Sequence, residues 1–164
     1  MKKLFLIVAS LLLSTTLMSQ SKLSNPIELM ENTDGFTVIK ISKPMFRFIE
    51  NMNIDYPIQK LASKIEYFTL ITADISNKES FPKNFNVSDV IATVNKQINE
   101  LNYDELVSIK DGATTVKMVA EKSKDDIVKN FIMVITDDSD FTLMVINGIF
   151  KIEDFNEFMS MVNK

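Results

Sequence analysis

The chain has 164 residues, with 22 Asp and Glu against 18 Lys and Arg, and it contains neither histidine nor cysteine. Without cysteine there are no disulfides, thiolate zinc sites or cysteine nucleophiles; without histidine the commonest general base and neutral metal ligand are missing, and no Ser-His-Asp triad can be assembled. A net charge of -4 gives no overall field that draws the chain to nucleic acid, and a single arginine, Arg47, argues against bidentate phosphate or carboxylate clamps.

Met1-Lys2-Lys3 precedes an apolar run, Leu4 to Leu13, and then a small and polar stretch. That is the pattern of a secretory signal peptide. An apolar run of about ten residues rises about 15 Å as a helix, roughly half of a bilayer's hydrocarbon core, so a permanent membrane span is the weaker reading. Ser19-Gln20-Ser21 supplies a small-x-small processing site before Lys22, with cleavage after Ser19 as a rival. Residues 1–21 are therefore expected to be removed, leaving 22–164 as one domain. That length buries a core without covalent staples. No cysteine follows the apolar run, which excludes a lipid-modified N-terminus. Loss of Lys2 and Lys3 leaves 16 basic against 22 acidic residues, a net charge near -6.

Asn25-Pro26-Ile27-Glu28 reads as a short helix start, with Asn25 as cap and Pro26 in the first turn, and Asp34-Gly35 breaks it. Phe36 to Ile41 is a first strand. Ser42-Lys43-Pro44 opens a second helix carrying Met45, Phe46, Ile49 and Met52 at helical spacing. After Asp55-Tyr56-Pro57, a third helix places Ile58, Leu61, Ala62 and Ile65 on one face. Tyr67 to Ala73 is a second strand, and residues 74–86 form a polar connection. The clearest helix follows, with Val87, Val90, Ile91, Val94, Ile98 and Leu101 on one stripe and its end at Asn102.

From Glu105 the period switches to two. Glu105 to Lys110 and Thr114 to Glu121 flank Asp111-Gly112, a hairpin signal. Val128 to Thr136 and Phe141 to Asn147 flank the turn Asp137-Asp138-Ser139-Asp140, and Gly148 follows the last strand. Ile152, Phe155, Phe158, Met159 and Val162 then form a closing amphipathic helix. The order predicts an α+β fold: a mostly antiparallel sheet of about six strands with amphipathic helices packed on it, ending in a four-strand meander and a C-terminal helix. Strand order stays open at this level.

Phe131-Ile132-Met133-Val134-Ile135 and Leu143-Met144-Val145-Ile146 lack the alternation of a strand with one wet face, so both should be covered on both sides. The second cover is the N-terminal helix, the closing helix or another subunit. If a partner supplies it, Phe131, Met133, Met144 and Ile146 are the alternating set to suspect.

Other chemistry reads as structure. Asp137, Asp138 and Asp140 lack the glycine and distal glutamate of a calcium loop and are accounted for as an acidic turn, as are Asp125-Asp126. Met159-Ser160-Met161 is explained by core packing ahead of a soft-metal site. Only Gly35, Gly112 and Gly148 are present, so no glycine-rich phosphate loop exists. Lys43, Arg47, Lys60 and Lys64 form a mildly basic region best read as a solvated helix face. Paired carboxylates for hydrolysis need a common cleft, and the acids here fall in turns or on polar helix faces. The expectation is no enzyme, no cofactor and no catalytic, cofactor-binding or metal residues.

The chain resembles a family of small exported Bacteroidetes proteins defined only as a domain of unknown function. The resemblance rests on the signal peptide ending near Ser19-Gln20, and on Gly35-Phe36-Thr37-Val38 leading through Ile41-Ser42-Lys43 into Met45-Phe46. It rests further on Tyr103-Asp104-Glu105-Leu106-Val107, and on Phe141-Thr142-Leu143-Met144-Val145 running through Gly148 to the closing helix. It spans nearly the whole mature chain and implies an envelope or periplasmic setting. It carries over no activity and no site residues. Some relatives have a lipoprotein cysteine that this chain lacks, which favours a free periplasmic or secreted form with no stable membrane anchor.

The expected function is therefore a non-enzymatic binding or interaction module of the bacterial envelope, acting as a homodimer or on an envelope protein. The alternative is a carrier of a small apolar ligand, such as a lipid, in a cavity between sheet and helices.

Overall fold

A computed structural model describes residues 23–50, 56–122, 126–151 and 153. The chain runs α1 (Ser24–Glu31), β1 (Thr37–Ser42), α2 (Lys43–Glu50), α3 (Tyr56–Ala62), β2 (Ile65–Asp74), a 3-10 turn at Lys78–Ser80, and α4 (Val87–Glu100). It continues with β3 (Asp104–Asp111), β4 (Thr114–Lys122), β5 (Ile127–Thr136) and β6 (Asp140–Lys151). All six strands join one antiparallel sheet in the order β1-β2-β6-β5-β4-β3. The fold is α+β, as the element order implied, and β3 to β6 form the expected meander.

The last strand returns to lie between β5 and β2, so β5 and β6 sit away from both edges, where a fully apolar sequence is at home. On the first face, Ile71, Val119, Ile132, Val134, Phe141, Leu143 and Val145 meet Leu23 and Met30 at α1 and Val90, Ile91, Val94 and Ile98 of α4. The polar connection before α4 contributes Phe81 and Phe85, which pack with Phe36 at ring-centroid distances of 5.3–6.1 Å. On the second face, Ala120, Val128, Phe131, Ile146 and Phe150 cluster with Phe46 of α2, Leu61 and Ala62 of α3 and Ile65. The 87–100 helix is thus a main cover of one face, and α2 and α3 reach the other.

Local chemistry explains most boundaries. The Asn86 side chain accepts a hydrogen bond from Ser88 N–H at 3.1 Å, capping α4, and Asp89 lies in its positive first turn. Several expectations shift. The first helix begins at Ser24 with no side-chain cap, so Asn25 is not its cap. Met45 faces solvent rather than the core, while Phe46 is buried. Ile65 belongs to β2 and not to the helix before it, because Ser63 and Lys64 N–H bond back to Gln59 and Leu61 C=O and end α3 there. In the β3–β4 hairpin Asp111 still pairs with Thr114, so Gly112 and Ala113 form the turn, with Gly112 at φ +58°. β6 does not stop at Asn147 but passes through Gly148 to Lys151.

The signal-peptide region and the processing site lie outside the described residues. So do the closing helix, apart from Glu153, and Met52 of the second helical stripe. Among the described residues no helix is long and apolar enough to cross a membrane.

Candidate functional site

Strand register decides what the alternating apolar set becomes. Phe131 pairs with Ile146, and Met133 pairs with Met144. All four side chains therefore stand on the second face. Phe131 and Ile146 are 4% and 5% exposed and belong to the cluster beneath α2 and α3, whereas Met133 and Met144 are half-buried beside it. The same register extends the Met133–Met144 pair in both directions: Leu70 stands next to Met144, and Met118 next to Met133. Ile39 then flanks Leu70, and Val107 flanks Met118. One apolar row, Ile39-Leu70-Met144-Met133-Met118-Val107, crosses all six strands, about 24 Å at ordinary strand spacing. It opens toward solvent at the β1 edge, where Ile39 is 46% exposed. In the next row Ile135 and Val116 are half-buried, and Ile109 on β3 is 50% exposed.

Sequence reasoning named two members of this row and missed Leu70, Met118, Ile39 and Val107. Alternation within β4 (Val116, Met118, Ala120) hinted at a shared face, but nothing in a single strand says which rows align.

A second cluster was not foreseen. Asn130 interrupts the apolar run of β5 at a bulge, with φ +51°. Asparagine tolerates that left-handed conformation better than most residues. Its Nδ2 donates to Glu121 Oε2 at 2.6 Å, and Asn147 Nδ2 donates to Asn130 Oδ1 at 2.9 Å. Tyr103 joins this group. Burial pushes its hydroxyl above the usual range, the Glu121 carboxylate adds to that, and a hydrogen bond from Asn130 opposes it. The cluster pins the bulge by exchanging hydrogen bonds among its own members. The signal for it was the lone asparagine in an otherwise apolar strand. Because the native Tyr103 hydroxyl holds its proton more tightly than the unfolded one, its contribution to stability is complete below about pH 10 and is lost as pH rises through the folded-state value. Urea midpoints measured between pH 9 and pH 11 should therefore fall less steeply for Tyr103→Phe than for the natural chain. Equal slopes would remove Tyr103 as the group responsible.

The acidic turn is also internally satisfied. Asp137 Oδ1 accepts from Ser139 N–H and Asp140 N–H, both at 2.7 Å, and from Ser139 Oγ at 3.0 Å. Those bonds, led by the Ser139 backbone N–H, hold its carboxyl below the ordinary value. Asp74, across from Asp140 in the register, is lowered in the same manner, first by the Ser76 hydroxyl and then by the Asn77 N–H. Among the described residues no group of three acids is placed to hold a metal ion.

A groove of about 290 Å³ lies between α1 and α4, lined by Pro26, Leu29, Val90 and Thr93, with Asp89 and Gln97 beside them. The Gln97 Oε1 is buried there without a hydrogen-bond partner.

The model of one protein family, the domain of unknown function DUF4252, matches residues 30–158. The chain belongs to the DUF4252 family. The match runs from the end of α1 through the whole sheet, so the apolar row and the Asn130 cluster both lie within the DUF4252 domain. No curated protein matches the chain, and no solved structure matches it.

Proposed function

We propose that this DUF4252 domain is a non-enzymatic binding or interaction module of the bacterial envelope, exported to the periplasm or beyond, that works through the second face of its sheet by self-association or on an envelope protein. The observation that carries the reading is the row Ile39-Leu70-Met144-Met133-Met118-Val107, apolar across six strands and only half-covered. Contiguous apolar surface of that extent marks interaction sites more often than it occurs on an isolated monomer. Three methionines at its centre suit adaptable contact, because the unbranched side chain repacks readily. Export rests on the Lys2-Lys3 and Leu4–Leu13 pattern.

Residues 22–164 should run as a dimer in light scattering, and Met133→Lys should give a monomer with unchanged circular dichroism. Met133 is the position to charge because it is only half-buried; a charge at Phe131, at 4% exposure, would test folding instead. A natural chain that stays monomeric both alone and in envelope extract sinks the reading. So does a Met133→Lys variant that unfolds, which would make the row ordinary core. The apolar-carrier alternative has less behind it, since the α1–α4 groove lies between two helices and not between helix and sheet.

A further inference from the structure

The groove between α1 and α4 is rich in hydrogen-bond acceptors. Asp89, Thr93 and Gln97 follow one another at four-residue spacing, so they line one side of α4. Pro26 and Leu29 of α1 and the buried Val90 supply the apolar lining, and Leu29 is 47% exposed, which leaves that lining open to solvent. The Thr93 hydroxyl donates its proton to the Asp89 C=O at 2.8 Å, so toward the groove it can only accept. Gln97 Oε1 is buried with no hydrogen-bond partner among the described residues, and a buried acceptor left unmade is costly. Asp89 adds a full negative charge, which outweighs the roughly half positive charge of the α4 N-terminus. Among the described residues no lysine or arginine lines the groove.

We propose that this groove binds a linear aliphatic polyamine of the spermidine class. One terminal ammonium pairs with Asp89, the methylenes lie along Pro26, Leu29 and Val90, and the other terminal nitrogen donates to Gln97 Oε1. The lengths agree. Asp89 and Gln97 are eight residues apart, about 12 Å along α4. Extended spermidine spans about 11 Å between its terminal nitrogens, at about 1.25 Å of advance per bond. Its inner nitrogen then falls near Thr93, midway between the two, where the hydroxyl oxygen accepts. A volume of about 290 Å³ is at the low end for ligand sites and suits a thin chain better than a ring system. An anion would be repelled by Asp89, and a purely apolar ligand would leave Gln97 Oε1 unpaired. The inference stands apart from the second-face reading, because α1 and α4 cover the first face.

The test is calorimetric titration of spermidine into residues 22–164 at physiological salt, with amide chemical shifts followed in parallel. Three variants accompany the natural chain, each first checked by circular dichroism. Gln97→Met keeps the length of the side chain and removes the acceptor. Leu29→Lys sets an ammonium at the exposed rim of the groove, where the fold tolerates it, and so competes with the ligand. Asp138→Asn removes an exposed acid from the β5–β6 turn and controls for diffuse attraction to an acidic chain. The expected result is saturable binding of one spermidine per chain, with shifts confined to α1 and α4. Gln97→Met and Leu29→Lys should each weaken it at least tenfold, and Asp138→Asn less than twofold. Putrescine, too short to reach from Asp89 to Gln97, should bind several-fold more weakly than spermidine. Absence of saturable binding, shifts centred elsewhere, equal losses in Gln97→Met and Asp138→Asn, or equal affinity for the two amines would overturn the proposal.

Discussion

Phe141→Ala is expected to destabilise the domain by about 3–5 kcal/mol, the range for deleting a fully buried aromatic side chain. Phe141, the second residue of β6, has no exposed surface and is the largest of the fully buried side chains. It stands between Ala73 of β2 and Thr136 of β5 on the first face, within the cluster that α1 and α4 cover. Its neighbours on the sheet are held by ladders on both sides, so the cavity has little room to collapse, and the cavity cost adds to the lost transfer energy. A domain of this size has about 5–15 kcal/mol to lose. At a urea slope of about 1–3 kcal/mol per M, the midpoint should drop by more than 1 M. Phe48→Ala is the matched control: Phe48 is 59% exposed, and its midpoint should move by a small fraction of that. A Phe141→Ala loss below about 1 kcal/mol would mean that the first-face core is loosely packed.

Gly148→Ala should cost about 2 kcal/mol or more, although it adds a single methyl group. A Cβ at this position would run into the Lys64 carbonyl oxygen, and it would stand 3.1 Å from Ile65 Cα and 3.2 Å from the Lys64 carbonyl carbon. All three are backbone atoms at the point where α3 passes into β2, and Ile149 N–H donates to the same carbonyl at 3.2 Å. Neither side can yield as a long side chain would. The variant must either shift the start of β2, where the register already slips between Ile65 and Tyr67, or give up the end of β6. Gly112→Ala separates this effect from the other use of glycine. Gly112 has φ +58° with open space around it, so its cost is conformational only, about 1–2 kcal/mol. Urea unfolding of both variants checks the pair. A Gly148→Ala loss no larger than that at Gly112 would show that the Lys64 segment moves aside easily.

The strands of the meander could be read from period two alone, to within one or two residues at most ends. α4 could be read from a cap and a stripe, because both signals are local. The errors fell where two elements meet. Ile65 matched the helical spacing of Leu61 and Ala62, and only the turn at Ser63 and Lys64 transfers it to β2. Gly148 looked like a stop because glycine weakens strands. It is instead the place where β6 slips beneath the Lys64 carbonyl and continues. A contact between residues so far apart in sequence leaves no periodic trace.

The candidate site divides along the same line. The apolar alternation of β5 and β6 was enough to group Phe131, Met133, Met144 and Ile146 on one face, since side chains two apart on a strand share a side. It could not say that Met118, Leu70, Val107 and Ile39 extend that face, because this depends on the register of four further pairings. Nor could it say that Phe131 and Ile146 lie deep while Met133 and Met144 lie shallow. Phe131 and Ile146 join the cluster of Phe46, Leu61 and Ala62, whereas Met133 and Met144 lie at its margin, and that division depends on contacts between distant segments.

By itself, then, the residue order determined the fold class, the absence of thiol and imidazole chemistry, and the apolar character of both faces of the two central strands, since each follows from composition or from a period of two or 3.6. Only the tertiary structure decided the strand order, the bulge held by Asn130, Glu121 and Asn147, and the six-strand apolar row. Those depend on contacts between distant segments, whose free energy comes from shared burial and hydrogen bonding and not from the preferences of any one segment.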